Sequence, residues 1–177
     1  MALVFRKLEH TDEQCFFAAY QEFHDEADNF NFVPQYNKGM NFLSLLQLLD
    51  EQERGENLPA GFVPATYLFA FDGGKIVGRV MIRHYLNDFL RRAGGHIGYG
   101  VTPSERGKGY GKQLLREALR VARGVGLERV LLTCAEGNAA SRAIIIGNGG
   151  EFEGMVNEGS SSSGTLLYWL DTSVKKP

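Results

Sequence analysis

The chain has 177 residues, a formal net charge of −2 and a pI near 6.1, so we expect one globular domain over residues 1–177 and no nucleic-acid partner. No apolar run is long enough to cross a bilayer, and the N-terminus lacks the pattern of a signal peptide, which predicts a cytoplasmic protein without a membrane partner. The two cysteines, Cys15 and Cys134, form neither a disulfide framework nor a zinc-binding spacing, and no metal is predicted.

An edge strand and two amphipathic helices are predicted at the start of the chain. Residues 2–8 alternate loosely and indicate the strand, after which Thr11 or Asp12 is positioned to cap a helix with regularly spaced apolar residues. Residues 28–39 have no clear period and are interpreted as a loop. Asn41 is positioned to cap the second helix, which carries its apolar side chains on one face.

A β-hairpin is predicted next. Residues 67–71 and 75–83 have the composition of strands, and the turn 72–74 between them reads Asp-Gly-Gly, a hairpin signal. Residues 84–94 then form a longer connection of mixed composition.

A strand, a glycine-rich turn, a helix and a second strand follow one another in the middle of the chain. The apolar run 97–101 precedes the turn 106–111, the helix continues through residues 113–119, and the second strand covers residues 129–134. Elements of these lengths in this order predict a right-handed βαβ unit with parallel strands.

The chain ends with a predicted helix from about residue 139 to residue 147 and a final pair of strands. These strands cover residues 151–156 and 165–170, and the serine-rich stretch 159–164 joins them as a loop.

The glycine-rich turn has the properties of an anion-binding site. The first N–H groups of a helix lack partners within the helix, and the helix dipole makes that end positive. Glycines let the backbone curl around an anion, and Arg106, Lys108 and Lys112 add positive charge nearby. The turn is therefore a candidate cradle for a pyrophosphate group.

Two common phosphate-binding motifs do not fit this turn. A Walker A loop needs a glycine five residues before its Gly-Lys pair and a Ser or Thr after it, but Arg106 and Gln113 hold those places. A dinucleotide fingerprint needs a third glycine where Lys112 stands. A nucleotide-binding enzyme is thus a rival interpretation that selective ATP binding would support.

The turn does fit the pattern Arg/Gln-x-x-Gly-x-Gly/Ala, through Arg106, Gly109 and Gly111. In this it resembles the acetyl-coenzyme A signature of the GNAT N-acetyltransferase superfamily. The flanking residues that extend the resemblance are Val101 and Pro103 before the loop, and Asn138, Ser141 and Asn148-Gly149-Gly150 after it.

The resemblance implies both a fold and an activity. The fold would be α/β, with a GNAT-like mixed central sheet, a V-shaped split between the central parallel strands and helices on both faces. The activity would be that of an N-acetyltransferase, which moves an acetyl group from the cosubstrate acetyl-CoA to a primary amine by direct transfer in a ternary complex. The acceptor would be a small-molecule or peptide amine, and a homodimer is left open.

The resemblance also implies roles for individual residues. The Val101 N–H would polarise the thioester carbonyl, and the backbone at Gly100 and Val101 would contact the pantetheine arm. Tyr110 packing under the loop, and Asn138 and Ser141 acting only as caps, are alternatives. The expected coenzyme-binding residues are Gly100, Val101, Arg106, Gly107, Lys108, Gly109, Tyr110, Gly111, Lys112, Asn138 and Ser141.

The general base and general acid are less well defined. His96, on the strand before the loop, and His84, at the end of the preceding strand, are candidate bases because histidine titrates near neutral pH. Glu136, after the second strand of the unit, is a further candidate, and a purely structural polar residue is the alternative for each. Many relatives carry a Tyr as general acid where this chain has Ile145, so Tyr99, Tyr168 or water would donate the proton, or the thiolate would leave unassisted. The same departure motivates an alternative, a non-catalytic acyl-CoA-binding sensor or scaffold.

The acceptor site is expected to be shaped by loops, since loops on a rigid scaffold commonly carry specificity. The candidate segments are 28–39 and 159–164, and a purely hydrophobic anchor is the alternative for the first of them. The side chains proposed to contact an ammonium group there are Asp28, Phe30, Phe32 and Tyr36.

Overall fold

The computed structural model describes residues 3–25, 30–157 and 164–173. The helices and strands confirm the predicted order. They are β1 (Val4–Arg6), α1 (Glu13–His24), α2 (Phe42–Arg54), β2 (Ala65–Asp72), β3 (Lys75–Arg83), α3 (Asp88–Arg92), β4 (Ile97–Val101), α4 (Tyr110–Gly124), β5 (Arg129–Ala135), α5 (Ala139–Gly147), β6 (Glu151–Val156) and β7 (Thr165–Asp171).

The first two helices begin where the sequence predicts. Asn41 caps α2, because its side-chain oxygen accepts a hydrogen bond from the Ser44 N–H at 2.8 Å. Asp12 occupies the cap position of α1, but its side chain does not cap that helix. Its carboxylate instead accepts hydrogen bonds from Arg6, at 2.8 Å, and from the Glu9 N–H, at 2.7 Å. The predicted capping role of Asp12 was therefore wrong, since the arginine attracts the carboxylate more strongly.

The first sheet has the strand order β1-β2-β3-β4, and every pair in it is antiparallel. The predicted hairpin joins β2 to β3, and Gly73 and Gly74 adopt φ angles of 57° and 85° in its turn. The connection after β3 contains the short helix α3, which the sequence did not predict. Its five residues are too few to show a helical period, although Asn87 caps it by accepting from the Leu90 N–H.

The second sheet has the strand order β5-β7-β6 and is also antiparallel. It meets the first sheet where β4 and β5 approach each other at His96 and Leu131. The His96 N–H donates to the Leu131 carbonyl at 2.7 Å, and the Leu131 N–H donates to His96 Nδ1 at 2.8 Å. Beyond this junction no strand pairing joins β4 to β5 within the described residues. The α/β class is confirmed, while the parallel arrangement and the V-shaped split remain predictions.

Helices cover both faces of the first sheet, as predicted. On one face α4 and α5 pack their apolar side chains against β3, β4 and the second sheet, with Leu114, Leu115 and Ile145 fully buried. On the other face α1 and α2 pack against β2 and β3 through an aromatic cluster that includes Phe16 and Phe69. No helix in the described part of the chain has the length and apolar character needed to cross a membrane.

Candidate active site

The carboxyl end of β4 has a backbone N–H group that pairs with no other strand in the described part of the chain. The Thr102 N–H donates to the Val77 carbonyl of β3 at 3.0 Å. Because hydrogen bonds alternate along an antiparallel pair, the neighbouring Val101 N–H and carbonyl point away from β3, toward the free edge of the sheet. The Val101 carbonyl is met there by Arg106, whose Nε donates to it at 3.4 Å. The Val101 N–H is thus directed to the side of β4 that faces the second sheet.

The glycine-rich loop offers amide groups next to this edge. Gly107 and Gly109 have φ angles of 79° and 80°, and Gly109 forms the N-cap of α4 without any side-chain cap. A Cβ at either glycine would meet no described atom within 4 Å, so the space outside both is open. The N–H groups of Gly107, Lys108 and Gly109 donate to no residue that the structure describes. Together with the first turn of α4 they form the kind of donor set that binds phosphate.

Ionic contacts hold this loop in place. Glu105 accepts from both Lys75 and Lys108 at 2.7 Å, and these bonds lower the pKa of Glu105 to about 2. The Tyr110 hydroxyl donates to Asp72 at 2.7 Å and so ties the loop to the β2–β3 turn. Tyr110 thus packs under the loop, and the Lys108 side chain faces Glu105. The contribution of both residues to anion binding would come from their backbone N–H groups.

Helix α5 borders the same region. A Cβ at Gly111 would lie 2.7 Å from the Ile144 side chain, so a glycine here allows α4 and α5 to pack closely. Asn138 caps α5 by accepting from the Ser141 N–H at 2.9 Å, and the Ser141 hydroxyl lies 3.1 Å from the Tyr99 hydroxyl. The capping interpretation of Asn138 is confirmed. A direct coenzyme contact by Asn138 or Ser141 remains a prediction.

The candidate proton donor Tyr99 reaches from β4 to α5. Burial raises the pKa of Tyr99 to about 12, so its hydroxyl stays protonated and can donate a hydrogen bond at neutral pH. Ile145 is fully buried in the core, and a tyrosine in its place would have to displace core side chains. Cys134 is also buried, and burial raises the pKa of its thiol, as expected for an inert thiol.

The structure places His96 in a supporting position. Its Nδ1 is occupied by the Leu131 N–H, and burial together with the positive charges of Arg91 and Arg83 lowers the pKa of His96 to about 4. Val101 lies five residues farther along the strand, about 17 Å from His96. This geometry opposes the predicted role as general base, because the basic nitrogen is engaged and lies at the wrong end of β4.

His84 is no better placed. Its Nε2 lies 2.9 Å from the Thr66 hydroxyl, which in turn donates to Glu53 of α2 at 3.1 Å. Burial lowers the pKa of His84, and the charge of Glu53 opposes that change. His84 follows the end of β3, beyond the bond from the Arg83 N–H to the His96 carbonyl. It therefore lies farther from Val101 than His96 does, and its contacts are those of a residue that secures α2.

The glycines of β4 share one face of the sheet with Arg79 and Met81, their partners on β3. A Cβ at Gly100 would lie 2.6 Å from the ring of Phe30, and Arg79 donates to the Gly98 carbonyl at 3.3 Å. The expected coenzyme contact at the Gly100 backbone stays a prediction, and on this face of β4 two side chains stand in a ligand's way. Phe30 and Arg79 fill the space that the missing side chains leave.

The segment predicted to shape the acceptor site divides into two parts. Phe32 is 2% exposed and packs in the aromatic core beside Phe23, so it acts as the hydrophobic anchor of the alternative interpretation. Phe30 and Tyr36 line an open pocket of about 260 Å³ between α1 and this segment, together with Tyr20. Asp28 and residues 159–163 lie outside the described residues. Within the described residues no three His, Cys, Asp or Glu side chains form a group that could hold a metal ion.

Comparison with known proteins gives one family match. Residues 8–145 match the profile of the Acetyltransferase (GNAT) family. A comparison with curated protein sequences found no significant match.

Solved structures of several acetyltransferases are similar to this chain. The Salmonella typhimurium yncA structure, which contains its cofactor acetyl-CoA, is 17% identical, with a TM-score of 0.65 over 100% of this chain and 98% of that one. Mycobacterium smegmatis RimJ in complex with CoA-disulfide is 19% identical, with a TM-score of 0.69 over 96% and 81%. A Streptococcus pneumoniae acetyltransferase is 21% identical, with a TM-score of 0.66 over 96% and 99%. At these identities the similarity establishes a shared fold.

Proposed function

The chain belongs to the acetyltransferase (GNAT) family, as the resemblance of its glycine-rich loop predicted, and from this premise we propose that it acetylates a primary amine with acetyl-CoA. The transfer would be direct, within a ternary complex of enzyme, acetyl-CoA and amine. The acceptor would be a small-molecule or peptide amine. Two structural neighbours solved with acetyl-CoA and with CoA-disulfide support the choice of acetyl donor.

The coenzyme would be held at the start of α4. The unpaired N–H groups of residues 107–109 and the positive end of the helix would bind its pyrophosphate, and the exposed side chains of Arg106 and Lys112 would add charge. Positive φ angles favour glycine at positions 107 and 109, and the open space outside both leaves room for a ligand. These residues therefore fit a phosphate-bearing cosubstrate.

The reaction itself would depend on the free edge of β4. The Val101 N–H would donate to the thioester oxygen and stabilise the negative charge that develops there as the amine attacks. A C–N bond forms and the C–S bond breaks, so that coenzyme A departs as a thiolate, which takes a proton from solvent, while one proton leaves the amine nitrogen for solvent. The Tyr99 hydroxyl, which stays protonated, would donate a hydrogen bond to the leaving sulfur. Most of the rate enhancement would come from positioning the two substrates.

Neither histidine is placed to remove the amine proton. His96 binds the Leu131 N–H and His84 binds Thr66, so we propose that the amine loses its proton to solvent water. The rate would then follow the fraction of deprotonated amine and would show no separate limb from an enzyme histidine.

The observation that carries the proposal is the unpaired Val101 N–H beside an uncapped amide cradle. It is tested by calorimetric titration with coenzyme A, followed by thiol release from acetyl-CoA with a panel of primary amines. Binding followed by turnover supports the enzyme. Binding of coenzyme A without turnover of any amine supports the alternative, a non-catalytic sensor. Two observations favour that alternative: the Phe30 ring lies against Gly100, and neither histidine is placed to act as a base. Selective binding of ATP in place of coenzyme A contradicts both.

A further inference from the structure

Arg79 is a buried cation in the sheet that carries the site. It is 2% exposed, lies in the middle of β3 opposite Gly100, and faces α1 and the Phe30–Asn31 segment. Its Nη2 donates to the Asn31 carbonyl at 2.7 Å and its Nη1 to the Gly98 carbonyl at 3.3 Å. The guanidinium lies 4.7 Å from the ring centroid of Phe30. Two carbonyls, the Phe30 ring and, 5.7 Å from the guanidinium, the Tyr67 ring are thus its immediate surroundings.

The charge of Arg79 has no counter-ion among the residues that the structure describes. Its Nε is buried and makes no hydrogen bond. Burial lowers the pKa of Arg79 to about 10, and no carboxylate contributes to that pKa. Burying an unpaired cation costs several kcal/mol, and by contrast Arg6 on β1 forms an ion pair with Asp12. A buried guanidinium with an unused donor is suited to bind an anion.

Arg79 also lies on the strand next to the proposed reaction centre. Its side chain crosses over the two glycines of β4, and the strand from Gly98 to Val101 is about 10 Å long. The presence of glycine at both positions leaves the room that the guanidinium and the Phe30 ring use. An anionic group bound at Arg79 would therefore lie within one small molecule of the Val101 N–H.

We propose that Arg79 binds the carboxylate of the acetyl acceptor, and that the acceptor is a free amino acid. The proposal rests on the acetyltransferase function proposed above. Nε and Nη2 share one edge of the guanidinium, and the Asn31 carbonyl uses only the Nη2 donor of that edge. A carboxylate that replaces this carbonyl accepts from both donors at once. The Phe30–Asn31 segment has to shift away from Arg79 to admit it.

The distance between Arg79 and Val101 limits which amines can be the acceptor. An amino acid presents its amine a few bonds from its carboxylate, which matches a span of about 10 Å once the hydrogen bonds and the thioester are included. A peptide amine is separated from its terminal carboxylate by the whole peptide. A polyamine has no anionic group and would face an uncompensated arginine.

The test compares L-amino acids with their carboxamides, which replace the carboxylate by a neutral group. Because the amide also has a more acidic ammonium group, the rates are compared at equal concentrations of deprotonated amine. The amino acids tested include some with small, some with aliphatic and some with aromatic side chains, so that a preference for one size does not hide the activity. We expect kcat/KM for the acid to exceed that for the amide by at least about tenfold. Arg79→Gln should remove this preference by raising KM for the acid, with the KM of acetyl-CoA unchanged, and Arg79→Lys should restore it only in part.

Arg83→Gln is the matched control. Arg83 is also on β3, is half-buried, and donates to the carbonyls of Gly94 and Gly95. Its replacement should cost stability and leave the acid-to-amide preference unaltered. If Arg79→Gln does not fold, the wild-type preference and the Arg79→Lys variant still decide the question.

Four results would overturn the proposal. A kcat/KM for the amides that equals or exceeds that for the acids would show that Arg79 does not bind the carboxylate. A preference for the acids that persists in Arg79→Gln would show the same. Acetylation of amines without a carboxylate, with no turnover of amino acids, rejects the acceptor class and leaves the acetyltransferase function intact. Failure to bind coenzyme A in the calorimeter rejects the proposed function, and this inference falls with it.

Discussion

The two ends of β4 differ in how they meet the second sheet. At its start, His96 and Leu131 exchange two hydrogen bonds and hold β4 against β5. Gly95 allows this close approach, because a Cβ there would lie 2.3 Å from the Leu131 carbonyl. At its other end, five residues on, the Val101 N–H has no strand partner within the described residues and points to the side of β4 that faces the second sheet.

The two ends of β4 therefore have different roles: the first holds the two sheets together, and the second offers the backbone donors proposed to act in the reaction. The closed end contains the titratable imidazole, but its basic nitrogen is used for holding the sheets together. The open end contains backbone N–H groups, which do not titrate but can stabilise a developing negative charge and bind phosphate. The identity of a side chain is thus a poorer indicator of function here than the availability of main-chain donors.

The largest effect is expected from Gly109→Val at the open end. A branched side chain at a φ angle of 80° strains the turn and projects into the space where phosphate would bind. We expect the dissociation constant of coenzyme A to rise by about 100-fold, which combines backbone strain of 1–3 kcal/mol with the steric block. Calorimetric titration of the folded variant measures it.

Gly126→Val is the matched control for this variant. Gly126 follows the other end of α4, has a φ angle of 92°, and likewise has open space around it. It should lose similar stability and bind coenzyme A like the unaltered protein. Equal affinity in both variants, or equal loss in both, would show that the loop is not the coenzyme site.

At the closed end, His96→Leu should reduce stability while preserving turnover per folded molecule. The Leu131 N–H loses its acceptor, which costs about 1–3 kcal/mol. Urea denaturation measures the loss, and His96→Gln should recover part of it by supplying an oxygen acceptor. A fall in turnover together with the loss of a limb from the pH–rate profile would instead make His96 the general base.

The pH dependence of stability gives a second measurement on the same residue. The pKa of His96 is about 4 when folded and about 6.5 when unfolded, so only the unfolded chain takes up a proton between those values. Its contribution to stability is complete above the unfolded pKa and is lost as pH falls toward 4. Between about pH 7 and pH 4.5 the unaltered protein should lose about 2 kcal/mol more than His96→Leu. Parallel pH curves would contradict the low pKa.

A smaller effect is expected from Gly100→Ala, at the place where the open end of β4 contacts the Phe30 ring. Gly100→Ala places a methyl group 2.6 Å from the Phe30 ring, and such overpacking costs about 1–3 kcal/mol. Gly98→Ala is the control, because its nearest neighbour is the flexible end of Met81 at 3.4 Å. Thermal unfolding should rank Gly100→Ala well below Gly98→Ala, and Phe30→Ala in the same chain should abolish the difference. Equal stability of the two single variants would show that Phe30 does not cover Gly100.

The predictions that held depend on neighbouring residues in the sequence. Asn41 and Asn138 were identifiable as caps, and the Asp-Gly-Gly turn as a hairpin, because each acts on residues within a few positions of itself. The loop could be predicted for the same reason. Its three motif residues lie within six positions and precede a helix with a strong apolar face.

The features that escaped prediction depend on contacts between distant residues. Arg79 meets Asn31 across 48 positions, and His96 meets Leu131 across 35. The alternation of side chains along a strand places Gly98 and Gly100 on one face of β4, but it could not show that Phe30 covers Gly100. A histidine near a proposed thioester was therefore interpreted as a base when its partner lay in another strand.

The smallest expected effect concerns Asn138, which caps α5 at the open end. Removal of a side-chain cap costs about 1 kcal/mol, so Asn138→Ala should lower stability by that amount. Asn41→Ala removes an equivalent cap from α2, which packs on the other face of the first sheet, and should cost about the same. If the Asn138 side chain also contacts the pantetheine arm, only Asn138→Ala will raise the KM of acetyl-CoA. A KM that is unchanged in both variants, with equal losses in thermal stability, would restrict Asn138 to capping and leave the loop and the β4 backbone as the whole coenzyme contact.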